Sequence, residues 1–120
     1  MEFSFKKNFS LENRKEKYNK VLINANGKIP VICEKDPKSD IETIEKTKYL
    51  VSPDMTVNQF ESIIRKKLKL NKEKAIFFIV NGKNAIVGTQ LFSEIYTKFK
   101  EMDFYILLML AKIFGDKIIN

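Results

Sequence analysis

The stretch Thr56-Val-Asn-Gln-Phe-Glu-Ser-Ile-Ile-Arg-Lys-Lys-Leu68 decides the fold. Thr56 and Gln59 have the spacing of a capping box, in which each side chain satisfies a free backbone N–H of the other's residue. Behind that start, Val57, Phe60, Ile63, Ile64 and Leu68 recur at helical spacing, while Arg65, Lys66, Lys67 and Lys69 form a basic stripe opposite. A helix with one apolar stripe must lay it on something, and the segments around it supply a sheet.

Upstream, Lys28 to Lys35 is rich in β-branched residues, and Val31 and Cys33 alternate with Ile32 and Glu34. This predicts a strand. Pro30 places it at a sheet edge or marks its first residues, because proline cannot donate a ladder hydrogen bond. After an irregular connection, Asp36 to Asp40, with Ile41 and Ile44 as anchors, Lys48-Tyr-Leu-Val51 predicts a second short strand. Downstream, Ala75 to Val80 reads as a buried strand closed by an Asn81-Gly82 turn. A shorter helix capped by Thr89 carries Leu91, Phe92, Ile95, Tyr96 and Phe99. Phe104 to Leu110 is apolar on both faces, as a central strand is. Before all of these, Ser10 caps an amphipathic helix with Leu11, Tyr18, Val21 and Leu22, stopped at Asn26-Gly27, and residues 2 to 8 add a short helix or turn.

Two strands, a crossing helix and a closing central strand make an α+β β-grasp arrangement with a four-stranded sheet. At 120 residues, with 44% apolar side chains, the chain has material for one core. No histidine, no tryptophan and one cysteine remove most imidazole chemistry and most transition-metal sites, and the four glycines stand singly, so no phosphate loop forms. Cys33 reads as a small core residue rather than a nucleophile. A binding protein without cofactors is expected, not an enzyme. One cysteine cannot staple a chain, and the eight-residue apolar run Phe104 to Ala111 is too short to span a bilayer, which takes roughly 20 residues. A reducing, cytoplasmic setting follows. Twenty-two basic against 15 acidic residues, +7, favour acidic peptides, anionic membranes or nucleic acid.

With the elements placed, Lys28-Ile-Pro-Val-Ile-Cys-Glu-Lys35, Lys46-Thr-Lys-Tyr-Leu-Val51, Thr56-Val-Asn-Gln-Phe60, Ile64-Arg-Lys-Lys-Leu68, Ile76-Phe-Phe-Ile-Val-Asn81 and Phe114-Gly115 together resemble the GABARAP-like autophagy modifiers, nearly colinearly from Phe3 to Gly115. The resemblance implies two additional N-terminal helices in a helical extension over residues 1–26, a ubiquitin-like core over 27–115 and a tail, 116–120, that a cysteine protease removes. Gly115 would then be the point of protease cleavage and of lipid conjugation: activating and conjugating enzymes would join it to phosphatidylethanolamine, turning a cytoplasmic protein into one on autophagosomal membranes. Cargo receptors and adaptors would dock through short aromatic-x-x-aliphatic motifs.

By the same resemblance, Lys17, Val21, Pro30, Lys48, Leu50 and Tyr105 would line an aromatic pocket. Tyr49, Val51, Met55, Phe60, Ile63 and Ile64 would line an aliphatic one, and Lys46 and Lys48 would meet acidic residues flanking the peptide. Where relatives usually carry an acidic residue this chain has Lys17, and its lead-in to Gly115, Leu107 to Phe114, is unusually apolar. A protein-conjugated modifier is the alternative. A nucleic-acid module built on Arg65, Lys66, Lys67 and Lys69 would need Phe77 and Phe78 as stacking residues, and these fall in the strand predicted to be buried.

Overall fold

A computed structural model describes residues 3–37, 45–69, 75–102, 105–114 and 117–119, side-chain surroundings being described outside 109 and 111–119. Helices α1 (Ser4–Asn8) and α2 (Leu11–Ala25) lead into strands β1 (Ile29–Lys35) and β2 (Lys48–Val51). Then follow α3 (Val57–Leu68), β3 (Ala75–Val80), β4 (Asn84–Ala85), α4 (Phe92–Phe99), β5 (Ile106–Phe114) and β6 (Lys117–Ile119). The sheet order is β2-β1-β5-β3-β4, with β6 paired to β5. Chain-distant β1 and β5 run parallel at its centre, from Val31↔Ile106 to Lys35↔Leu110, and β2 and β3 flank them antiparallel.

The expected α+β β-grasp is thus present, and each helix start has its physical cause. Asn13 donates its amide to the Ser10 hydroxyl (3.2 Å), and α2 ends on Asn26 in the left-handed region, φ +50°. The Thr56–Gln59 capping box is closed in both directions, at 2.9 and 3.2 Å.

Two cores lie on the two faces of the sheet. On one, Val57, Phe60, Ile64 and Leu68 of α3 pack on Val31, Cys33, Tyr49, Val51, Phe78 and Leu108. The Phe60 ring is 5.4 Å from each of Tyr49, Phe78 and Phe92, with edge-on or tilted contacts that aromatic quadrupoles favour. On the other face, Phe3, Phe5, Ile32, Tyr105 and Leu107 form a smaller core beneath the N-terminal helices. The alternation Tyr105, Leu107 against Ile106, Leu108, Leu110 is why the stretch into and along the first part of β5 is apolar on both faces: these residues are buried on both sides of the sheet.

Several details correct the sequence reading. The last helix begins at Phe92 with Leu91 as its cap, not Thr89, and no side chain caps it. Its first amides are satisfied elsewhere, Phe92 donating to the Met55 carbonyl (2.9 Å) and Ser93 to that of Pro53 (3.0 Å). Of the two readings of Pro30, the edge strand falls, because β1 lies between β2 and β5, and the strand's first residues hold, Pro30 being its second residue. Pro30 is tolerated because pairing with β5 starts only at Val31, one residue later.

Among the described residues the sheet has six strands, two more than the four expected. Asn81 and Gly82, both at positive φ (+56° and +74°), turn the chain so that Asn84–Ala85 pairs with β3, a strand too short for a pattern to reveal. At the other end β5 runs to Phe114 rather than Leu110, since β3 supplies partners as far as Ala75↔Ile113. Lys117–Ile119, part of the tail expected to be removed, folds back on β5 at Phe114↔Lys117, Ile113↔Ile118 and Lys112↔Ile119. Ile41, Ile44, Phe104 and Gly115 lie outside the described residues.

Candidate functional site

Among the described residues β2 is the last strand on its side of the sheet. The Cys33 amide donates to the Thr47 carbonyl at 2.8 Å, in the same register as Val31↔Tyr49 and Ile29↔Val51. Antiparallel pairs alternate between bonded and non-bonded positions, so Thr47, Tyr49 and Val51 spend their backbone groups on β1. The N–H and C=O groups of Lys48 and Leu50 point outward. Side chains alternate as well: Lys48 and Leu50 are exposed on the α2 face, while Tyr49 and Val51 are buried against α3.

On the α2 face a groove of about 590 Å³ opens between α2 and β2. Val21, Pro30, Lys48, Leu50 and Tyr105 line it, so five of the six residues expected at an aromatic pocket are brought together. The sixth, Lys17, is not among its lining. Its ammonium sits 4.3 Å over the Phe9 ring, and it borders a separate hollow of about 300 Å³. Lys20 and Asn24, which the sequence reading did not single out, line the main groove instead. Their signal was available in the helical spacing, since 17, 20, 21 and 24 fall on one face of α2. The groove is apolar at its floor and cationic at its rim, where Lys46 joins Lys20 and Lys48.

On the α3 face, the residues expected at an aliphatic pocket divide. Val51, Phe60 and Ile64 are at most 2% exposed and belong to the main core, and Tyr49 is buried with them. Met55 is half-buried, and Ile63 is 36% exposed. The surface beside β2 here therefore consists of Ile63 and Met55 over a floor made by the others. The core reading holds for Tyr49, Val51, Phe60 and Ile64, whereas Ile63 is exposed and Met55 half-buried.

The Tyr49 hydroxyl donates to the Lys46 carbonyl at 2.8 Å, tying the approach of β2 to its second residue. Lys46 and Lys67 place ammonium groups 5.1 and 5.8 Å from the Tyr49 ring. Burial, with the nearby Cys33 thiol adding to it, pushes the Tyr49 hydroxyl up to about 12. Burial likewise carries the Cys33 thiol far above its ordinary range, Glu34 contributing, so a thiolate nucleophile is disfavoured there. Among the described residues no group of histidine, cysteine or carboxylate side chains is placed to hold a metal ion. Phe78 is 1% exposed beneath α3 and Arg65 pairs with Glu61 at 2.9 Å, so the basic stripe of α3 lacks the stacking ring that Phe78 would have supplied.

The profile of the family described as "Autophagy protein Atg8 ubiquitin like" matches residues 13–115. Autophagy-related protein 8 of Kluyveromyces lactis is 42% identical over 118 residues, covering 97% of this chain and 94% of that protein. That of Phaeosphaeria nodorum is 43% identical over 120 residues, covering 98% and 100%. Among solved structures, Trypanosoma brucei ATG8 superposes with a TM-score of 0.86 at 28% identity, each chain covered completely. With a β-grasp sheet, two preceding helices and a β2 edge unpaired among the described residues already in view, these matches establish that the chain belongs to the Atg8 family of ubiquitin-like autophagy proteins.

Proposed function

We propose that this protein is a non-catalytic modifier conjugated through Gly115 to phosphatidylethanolamine of autophagosomal membranes, where it gathers receptors by their aromatic-x-x-aliphatic segments. The observation that carries the docking half is the outer edge of β2, unpaired among the described residues, between two apolar surfaces. A peptide added there as a strand bonds to the outward groups of Lys48 and Leu50. Residues three apart in a strand point to opposite faces. One anchor therefore enters the Val21, Pro30, Leu50 and Tyr105 groove while the other reaches Ile63 and Met55. Lys46 and Lys48 stand beside the groove to meet acidic flanks.

The membrane half is supported by family membership and by the position of Gly115, at the end of the stretch that matches the family. A residue without a β-carbon fits a narrow protease or conjugating-enzyme channel. Two acyl chains then give the firm anchorage that one does not. Removing residues 116–120 requires peeling away the three-residue β6.

The test is reconstitution of the 120-residue chain with the family's cysteine protease, activating and conjugating enzymes and phosphatidylethanolamine vesicles, followed by flotation with a fluorescent Trp-x-x-Leu peptide. The chain should gain one lipid at Gly115, lose residues 116–120 and float together with the peptide. Gly115→Ala should leave both in the soluble fraction. A chain that stays at full length and unlipidated contradicts the membrane half, and a lipidated chain that leaves the peptide behind contradicts the docking half.

A further inference from the structure

Strand β6 lies in a defined lane of the sheet. Ile113 is the partner of Ala75 in β3 and of Ile118 in β6, so these two strands flank β5 from opposite sides. β6 therefore continues the lane of β1, whose pairing with β5 ends at Lys35↔Leu110, where the Asp36 amide donates to the Leu110 carbonyl at 2.8 Å. The bonding phase of β5 agrees. The Asn81 amide donates to the Leu107 carbonyl, so odd-numbered residues of β5 turn their backbone groups to β3 and even-numbered ones to the β1 side. Lys112 and Phe114 thus face β6, where their partners are Ile119 and Lys117.

This pairing brackets the bond whose cleavage is proposed above. With Phe114 and Lys117 as partners, two residues, Gly115 and Asp116, remain to join the strands. Glycine is favoured in connections of that length. Bonded antiparallel partners stand roughly 5.5 Å apart at Cα, whereas three steps of extended chain span about 10 Å. A peptidase groove takes the chain on both sides of the scissile bond in extended form. Phe114 and Lys117 cannot be partners and be drawn out along such a groove at the same time.

We propose that β6 is an autoinhibitory strand: while it is paired to β5 the Gly115–Asp116 bond is withheld from the protease, and only chains whose β6 has opened are cut. The inference rests on the reading of Gly115 as the cleavage point. In the open chain water adds across the Gly115–Asp116 amide, leaving a carboxylate on Gly115 and an amine on Asp116. The cut is one-way for the sheet as well, because the shortened chain has no β6 to restore. Lys112 and Phe114 then keep outward backbone groups on the β1 side.

The test follows cleavage of the 120-residue chain by the family's cysteine protease over a range of substrate concentrations. Ile119→Pro removes the N–H that faces Lys112, outside the two residues that join the strands. It should lower KM about fivefold, the effect of one lost hydrogen bond, and leave kcat unchanged, since closed chains are merely unavailable to bind. The double variant Ile113→Cys, Ile118→Cys puts cysteines at a non-bonded pair, within Cα reach of a disulfide. Its oxidised form should be cut roughly tenfold more slowly or worse, and reduction should restore the wild-type rate. Equal KM for wild type and Ile119→Pro, or an oxidised double variant cut as fast as the reduced one, overturns the autoinhibition and leaves the Gly115 reading standing. No cut after Gly115 in any form, Ile119→Pro and the reduced double variant included, overturns the Gly115 reading, and the autoinhibition with it.

Discussion

The amide of Cys33 is bonded to the carbonyl of Thr47 at 2.8 Å, and this one contact sets which backbone groups of β2 remain for a partner. It places Tyr49 and Val51 inward on both counts, by side chain and by hydrogen bond, and leaves Lys48 and Leu50 facing out. A single strand thereby serves the core through one set of residues and keeps the backbone groups of the other set turned outward.

That division can be separated experimentally. Leu50 is 42% exposed at the groove, whereas Tyr49 packs edge-on against Phe60 at 5.4 Å. Leu50→Ala should weaken binding of an aromatic-x-x-aliphatic peptide by about 1–3 kcal/mol and leave the urea midpoint close to wild type. Tyr49→Ala should cost about 3 kcal/mol or more of folding stability. Calorimetric titration paired with urea unfolding reads both, and an unstable Leu50→Ala with unchanged affinity would reverse the assignment.

The cationic rim gives a salt prediction. Lys20, Lys46 and Lys48 border the groove, so peptides with acidic or phosphorylated flanks should bind better than neutral ones at low salt. Because these side chains are at the surface, the advantage should shrink as ionic strength rises and the screening length falls to about 8 Å near 0.15 M. A preference for basic flanks, or one indifferent to salt, would count against the charge map.

Alkaline pH should destabilise the fold in a defined window. In the unfolded chain the Tyr49 hydroxyl ionises near its ordinary value of about 10, while in the folded protein it keeps its proton to about 12. Above pH 10 the native state binds the extra proton, so this contribution is complete below that point and is lost as pH climbs toward 12. Cys33, raised by burial, adds a loss starting near its ordinary value of 9.0. Urea unfolding from pH 8 to 12 should show falling stability, with a shallower fall in Tyr49→Phe above pH 10. Parallel curves for the two proteins would refute the Tyr49 assignment.

The start of α3 offers a local check. Thr56→Ala removes the hydroxyl that accepts the Gln59 amide and half of a closed capping box, and should cost about 1 kcal/mol. Thermal unfolding should register it as a drop of a few degrees, with peptide affinity unchanged. A loss of affinity without loss of stability would show that the cap does something other than hold the helix.

The main elements were legible because their signals are local. Thr56 and Gln59, Ser10 and Asn26 announce helix ends by their own side chains or backbone, and the apolar alternation of Val31 and Cys33 announces a strand. What escaped depends on partners distant in the chain. Thr89 looks like a cap, yet α4 starts later because the Pro53 and Met55 carbonyls accept its first amides. β4 and β6 are two and three residues long and are defined by pairing with β3 and β5, not by any pattern of their own. At the site, Val21, Pro30, Lys48 and Leu50 of the five residues shared between expectation and groove lie on elements that the sequence reading located, and Tyr105 directly precedes another. Lys17 is not among the groove's lining and holds its ammonium 4.3 Å over the Phe9 ring, a contact that no spacing rule contains. Ile63 and Phe60 had the same apolar signature, and only the sheet beneath α3 decides which is floor and which is surface.

Strand addition at β2 is the central claim, and amide hydrogen exchange at Lys48 and Leu50 tests it most directly. Both amides point away from β1, so in the free protein they should exchange quickly, while those of Tyr49 and Val51, turned toward β1, are protected. Saturation with a Trp-x-x-Leu peptide should slow exchange at Lys48 and Leu50 by about tenfold or more, a shift of at least ~1.4 kcal/mol in the opening equilibrium, with little change at Tyr49 and Val51. Saturating peptide that leaves the Lys48 and Leu50 amides exchanging at their free rate would contradict the account.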